Sequence, residues 1–290
     1  MRQKKFSIAE KTIESVMLVC AFISVAAVLL ITFLIFREGL PLFSGVSPWD
    51  FVSGTSWVPG KEVFGILPMI LASVYMTAIA LLIAIPVGVG CAVFLVEISP
   101  KKLSGALRRC IEVLAGIPSV VYGFFGMIII VPVIRDISGN AGFSLLAGGL
   151  ILAIMILPTV ISISEVSLRL VPFAYKDGSL ALGASKWQTI KSVSLPTAKS
   201  GIITGIVLGI GRAVGETMAV ILVSGSVPNM PESLFQPVRS LTVNIVIEMA
   251  YVSTGSAHYS ALFATAIVLF IFIMIINAAV IMLSRKKVRV

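Results

Sequence analysis

Val171-Pro-Phe-Ala-Tyr-Lys-Asp-Gly-Ser-Leu-Ala-Leu-Gly-Ala-Ser-Lys-Trp-Gln-Thr-Ile-Lys-Ser-Val-Ser-Leu-Pro196 is a polar island between two membrane-length apolar runs. Pro172 fits the start of a first short helix, where a missing backbone N–H costs nothing. Ser185 stands three residues before Gln188. That is the spacing of a capping box, so a second helix is expected just after Gly183, ending before Pro196. Trp187 and Ile190 fall three apart and are expected to share one face, leaving Lys186 and Lys191 on the rest. Two short helices joined at a glycine and lying on a membrane surface form a knob that a soluble protein can grip.

The surrounding composition makes the membrane unavoidable. Of 290 residues, 58% are hydrophobic and 12% charged, whereas soluble domains carry roughly a quarter charged residues. Apolar runs that meet the need for about 20 residues per crossing lie near Ile13 to Phe36, Ile66 to Val96, Ile111 to Ile134, Leu145 to Leu168, Gly201 to Ser224 and Ser260 to Leu283. An all-α integral membrane protein with six transmembrane helices is expected. Lys and Arg set its orientation. Seventeen of the 22 fall at one side, among them Arg2, Lys4, Lys5, Lys11, Lys101, Lys102, Arg108, Arg109, Lys176 and the group from Arg285 to Arg289; only Arg37, Lys61, Arg135 and Arg239 fall at the other. Both termini and the polar island are therefore expected in the cytoplasm. This bias accounts for the net charge of +9, so nucleic acid need not be invoked. The first run exceeds a signal-peptide core and lacks an Ala-x-Ala-like site, so it is expected to be an anchor. Cys20, Cys91 and Cys110, all in or at the edge of spans, read as packing residues.

Three segments are expected: an anchor helix plus outer segment at 1–63, a transmembrane domain at 64–284 containing a cytoplasmic loop at 171–199, and a basic tail at 285–290. Trp49 and Trp57 in the outer segment suit an interfacial belt. Pro86, Pro118, Pro132 and Pro158 bend their spans.

The fifth run carries the most telling polar residues. Gly201, Gly205 and Gly209 repeat every fourth position, as do Gly211 and Gly215. Such spacing lets helices approach to backbone distance, and it predicts that this is the central helix. Arg212 and Glu216 lie four apart on one expected face, able to pair. An ionised residue at mid-membrane costs about 2.5–3.5 kcal/mol on the insertion scale, so both must face the bundle or a watery path. A guanidinium matches the geometry of an oxyanion in a bidentate clamp. Two readings stand: a place on an anion path, with Glu216 holding Arg212, and a purely structural ion pair.

The island resembles the EAA-motif loops of bacterial ABC importer permeases. Asp177-Gly178-Ser179 takes the place of Glu-Ala-Ala, Gly183 stands where the motif has its Gly, and Val193-Ser194-Leu195-Pro196 follows at the family's spacing for Ile-x-Leu-Pro. The exchange keeps an acidic head and loses two good helix formers. Phe64-Gly-Ile-Leu-Pro, the run from Ile85 to Glu97, Leu114-Ala-Gly-Ile-Pro-Ser-Val-Val-Tyr-Gly123 and Gly211-Arg-Ala-Val-Gly-Glu-Thr-Met-Ala219 are similar to C-type permeases of the phosphate-specific transport (Pst) system. The resemblance implies a type I importer architecture in the cytoplasmic membrane. It implies coupling to an ATPase through Asp177, Gly178, Gly183, Ala184, Trp187, Leu195 and Pro196, and a role in transport for Arg212 and Glu216. The implied partners are a second homologous permease, two ATP-binding subunits and an extracytoplasmic phosphate-binding protein, with ATP and magnesium on the ATPase.

No phosphate-cradling Gly-x-x-x-x-Gly-Lys-Ser/Thr loop occurs, since the single Gly60-Lys61 is followed by Glu62. Metalloprotease and nucleophile-elbow spacings are likewise missing, so a transport subunit without enzymatic activity is expected. Permeases for sulfate or molybdate, an ATP-independent channel or carrier, and a membrane enzyme are the competing readings. His258 reads as an interfacial residue, Glu97, Glu112 and Glu165 as contacts of loop cations, and Glu248 with Asn244 as part of an outer helix facing a binding protein.

Overall fold

A computed structural model of the chain describes residues 8–285, with side chains over 12–278. Arg2, Lys4, Lys5 and the tail beyond Arg285 lie outside the described residues. Six helical stretches are long and apolar enough to cross a bilayer: Thr12–Ser44, Leu67–Ile98, Ser119–Ser138, Leu145–Arg169, Lys186–Gly215 and Ala257–Ala278.

Helix α1 (Ile8–Gly39) buries none of its most apolar window. A helix that is apolar on every side and uncovered by protein needs lipid around it. Short α2 (Pro48–Ser53) and the hairpin of β1 (Trp57–Val58) and β2 (Val63–Phe64) follow, with Trp57 opposite Phe64. Helix α3 (Leu67–Val93) runs on through a π-turn, Phe94–Ile98. Next come α4 (Lys101–Gly116), α5 (Ser119–Phe125), a π-turn at Gly126–Ile130 and α6 (Val131–Ser138). The remaining helices are α7 (Leu145–Arg169), α8 (Phe173–Ala181), α9 (Lys186–Thr189), α10 (Leu195–Gly215), α11 (Met218–Ile221), α12 (Leu241–Met249) and α13 (Ala257–Arg285).

Two spans depart from the sequence reading. The third begins at Ser119 instead of Ile111. Proline pushes the preceding residue out of the helical region, and Ile117 is extended at ψ 128°, so Pro118 breaks the chain where only a bend was expected. Residues 101–116 become a separate amphipathic helix, tied to α5 by the Tyr122 hydroxyl, which donates to the Leu114 carbonyl at 2.6 Å. The fifth span starts earlier and stops sooner, at Gly215. Pro196 does not end the second helix of the island, because the π-turn at Ile190–Ser194 lets Leu195 N–H reach back to the Ile190 carbonyl. The wider turn admits Pro196 in the first turn of α10, where its ring and missing donor are tolerated.

The central helix is α7, not the fifth span. Its membrane window is 61% buried against 28% for the fifth, and it packs between α3 and α10. Small residues set both approaches. A Cβ at Gly148 or Gly149 would lie 2.4 Å from Met76 Sδ or 2.6 Å from Ile79 Cγ2, and one at Gly88 would lie 2.8 Å from Val160. On α10, a Cβ at Gly201 would sit 2.0 Å from Ser167 Oγ and 2.6 Å from its Cβ, at Gly205 3.1 Å from Ile163, and at Gly209 3.3 Å from Val160. Gly211 and Gly215 meet nothing within 4 Å. Gly201→Ala is therefore expected to lower the thermal midpoint of the purified protein, since overpacking costs about 1–3 kcal/mol. Gly211→Ala, which adds helix propensity in open space, is expected to leave it unchanged or raise it; equal midpoints would contradict the close α10–α7 contact.

At the end opposite the basic loops, Leu42, Phe51, Trp57 and Phe64 form one core with Leu241, Ala261 and Leu262. Trp57 is thus an internal residue and not part of an interfacial belt, whereas Trp49 is 76% exposed. His258 stacks on Phe64 and lies 3.2 Å from a Glu248 oxygen. Arg239 binds the other Glu248 oxygen at 2.7 Å and Asn244 Oδ1 at 3.1 Å. Glu248 is therefore drawn inward by Arg239 instead of facing outward for a binding protein, and His258 is half-enclosed behind it. Of the cysteines, Cys91 joins a core cluster, while Cys20 and Cys110 are exposed and do not pack.

Candidate functional site

The polar island folds as a compact corner. Pro172 caps α8, and Ser185 opens α9 with both halves of a capping box: its hydroxyl accepts from Gln188 N–H at 3.3 Å, and its own N–H donates to Gln188 Oε1 at 2.7 Å. Gly183 makes the corner at φ +85°, a left-handed backbone that glycine adopts without penalty. The Ser179 and Thr189 hydroxyls, 3.0 Å apart, join α8 to α9. Lys176 Nζ donates to Glu97 Oε1 at 2.7 Å, with both side chains mostly buried. This ion pair ties α8 to the end of α3, while the π-turn carries α9 directly into α10.

Apolar side chains crown the corner. Leu182 is 92% exposed, Phe173 77% and Trp187 64%. Ile190 faces the other way, packed with Ala92, Val93, Leu168 and Val171. Trp187 and Ile190 do not share a face, because α9 is one turn long and the buried side begins at Thr189. Asp177, Gly178 and Gly183 are exposed and Ala184 half-buried; Leu195 is half-buried, and Pro196 is exposed at the foot of α10. An exposed apolar cap of this kind has the character of a docking surface, and the corner is joined to the two helices that flank α7.

The second group lies at the far end of α10. Arg212 is in the last turn, half-buried, and its Nη1 donates to Thr159 Oγ1 at 3.4 Å. Thr159 is near the midpoint of α7, so the guanidinium sits at mid-depth of the bundle. The expected Arg212–Glu216 pair is absent among the described residues. Gly215 ends the helix, and Glu216 is extended at ψ 130°, so the two no longer lie one turn apart on a common face. Each charge instead meets a helix end of opposite sign. Arg212 lies at the carbonyl end of α10, and the Glu216 carboxylate accepts from Ala219 N–H at 3.2 Å at the start of α11. Thr242 holds the break by donating to the Glu216 carbonyl at 3.1 Å. Non-helical backbone at this depth is tolerated where it is buried in protein or lines a cavity. The consequence is a fixed cation without a carboxylate partner among the described residues.

Hydropathy averaged over a span could not reveal this break, since apolar residues dominate the run from Gly201 to Ser224 on both sides of it; Gly215 followed by Glu-Thr is its local signal. The inner carboxylates behave as expected in part. Glu97 binds Lys176, and Glu165 binds Arg108 and Arg169, while Glu112 has no ion pair among the described residues.

Residues 84–289 match the family model described as the binding-protein-dependent transport system inner membrane component. A probable ABC transporter permease protein of Bacillus subtilis, YqgH, is 41% identical over 278 residues, covering 93% of this chain and 89% of that protein. Phosphate transport system permease proteins PstC from Mesorhizobium japonicum and Haemophilus influenzae are each 34% identical, covering 87% and 92% of this chain and 85% and 88% of theirs. Among solved structures, a chain of a bacterial ABC transporter involved in the import of alginate aligns over 97% of this chain and 99% of its own, at TM-score 0.63 and 15% identity. The MetNI methionine ABC transporter in an inward-facing conformation gives a TM-score of 0.62 at 18% identity over 80% of this chain and 99% of its own. These likenesses concern the fold.

Proposed function

Because the chain belongs to the inner membrane component family of binding-protein-dependent transport systems, we propose that it is the permease subunit through which an ATP-driven importer carries inorganic phosphate. It is a multi-pass inner-membrane protein and a transport component. The finer reading places the basic end in the cytoplasm, with the α8–α9 corner in a separate subunit that binds and hydrolyses ATP with magnesium. A second homologous permease, a second ATPase copy and an external phosphate-binding protein complete the machine. Closure of the ATPase pair would move the corner, and with it α3 and α10 against α7, alternating access to a site near the midplane.

Arg212 carries the reading of the cargo. A half-buried guanidinium at mid-depth, held by a threonine and a helix end and by no carboxylate among the described residues, keeps most of its five donors for an incoming anion. Phosphate takes such a fork in bidentate fashion. The similarity to permeases named for phosphate transport supports phosphate over other oxyanions. The deciding measurement is uptake into vesicles by the chain purified with its partners. ATP-dependent accumulation of labelled phosphate should be competed by unlabelled phosphate and not by equal sulfate or molybdate; equal competition would transfer the cargo to another oxyanion.

A further inference from the structure

Glu165 is the most buried carboxylate at the basic end, with a side chain 6% exposed. One of its oxygens, Oε1, takes donors from two arginines: Arg169 through Nε at 3.0 Å and Nη2 at 2.8 Å, and Arg108 through Nη2. One guanidinium would neutralise that carboxylate. The second is offset in part by Glu112, which lines a neighbouring groove with both arginines, yet both remain close to half exposed, at 43% and 47%. Glu165 also holds the Arg108 guanidinium above its already high ordinary value through their hydrogen bond, so the charge is permanent.

These basic groups are not spread over an open surface. Arg108 and Arg169 line a cleft of about 520 Å³ together with Lys101, Ser99, Ser104 and Phe173, and no carboxylate lines it. Lys101 has no ion pair among the described residues, so the cleft holds one uncompensated cation beside two arginines whose carboxylates lie outside its lining. Half-buried Val96, with buried Leu95 behind it, gives the cleft an apolar wall. Loop cations that only set topology would point separately into water. Here three converge on one concavity that has hydroxyls on one side and apolar surface on the other.

We infer that this cleft binds a phosphate group, presented by an anionic phospholipid headgroup or as the free anion. A phosphodiester fits the charge, Arg108 and Arg169 supply forked donors, and the apolar wall suits the adjoining acyl chain. Basic pockets between membrane helices on the cytoplasmic side are suited to such headgroups. The site is separate from Arg212, lying at the opposite end of α10's span, and does not rest on the cargo assigned above.

The test uses the full transporter in nanodiscs of phosphatidylglycerol or of phosphatidylcholine, read by native mass spectrometry for retained lipid and by hydrogen exchange of residues 99–108 with and without inorganic phosphate. Lys101→Gln, an exposed and unpaired position, is the folding-neutral variant; Arg108→Gln is the stronger one. Lys101→Gln is expected to lower retained phosphatidylglycerol about fivefold, the worth of one basic residue at an anionic surface, with no effect in phosphatidylcholine. Unchanged lipid retention with phosphate-dependent protection that is lost in Lys101→Gln identifies the free anion as occupant. If neither signal depends on Lys101 or Arg108, the inference is overturned.

Discussion

Arg212→Ala is expected to reduce phosphate uptake by about 30-fold or more while leaving the protein in the membrane. Truncating one partner of a desolvated, hydrogen-bonded charge pair costs about 2–5 kcal/mol, and each 1.4 kcal/mol is a factor of ten. The pair in question is the guanidinium with the passing anion, because among the described residues Arg212 has no carboxylate to strand. Its removal breaks only the 3.4 Å contact with Thr159 and a favourable position at the end of α10. Arg212→Lys should fall between, since the ammonium keeps the charge and loses the planar fork. Glu216→Gln should matter less than either: an amide oxygen can still accept from Ala219 N–H, so the break between α10 and α11 survives. Vesicle uptake, set against the amount of assembled transporter, measures all three. Wild-type uptake in Arg212→Ala would reduce the residue to a structural support of α7.

How much of this was readable beforehand depends on the range of the interaction. Ser185 and Gln188 signal a capping box because both partners lie within one turn, and the structure forms it. The six apolar runs follow from length and hydropathy alone. The α10–α7 contact was half legible. Spacing showed that small residues line up at Gly201, Gly205 and Gly209, but not that Gly211 and Gly215 point into open space or that α7 carries the burial. Arg212 and Glu216 mark the limit of such reading. Four-residue spacing implies a pair only while the helix continues, and the helix stops at Gly215, where Thr242 from a distant helix steadies the turn. Partners brought together across the fold, such as Lys176 with Glu97 or Arg108 with Glu165, were legible only as a class: a carboxylate at an inner span end implies a loop cation but not which one.

Gly183→Val is expected to uncouple ATP hydrolysis from uptake with little loss of membrane-inserted protein. A Cβ at this position would meet nothing within 4 Å, yet the backbone is at φ +85°. The penalty is therefore conformational and not steric against neighbours. An L-residue in the left-handed region costs about 1–2 kcal/mol, and β-branching makes that conformation rarer still. The corner would relax by re-angling α8 against α9, at the expense of the Ser179–Thr189 contact and the Ala184 N–H bond to Ser179 O at 3.2 Å. Leu182 and Trp187, which flank the turn, would then no longer present one apolar cap. The transmembrane core is untouched, because α3, α7 and α10 meet through other residues. Gly183→Asn separates conformation from side-chain bulk, since asparagine tolerates this backbone better than valine. Uptake per ATP hydrolysed should rank wild type, then Asn, then Val, at equal levels of assembled protein. Equal ratios for Val and wild type would mean that the corner does not transmit the stroke.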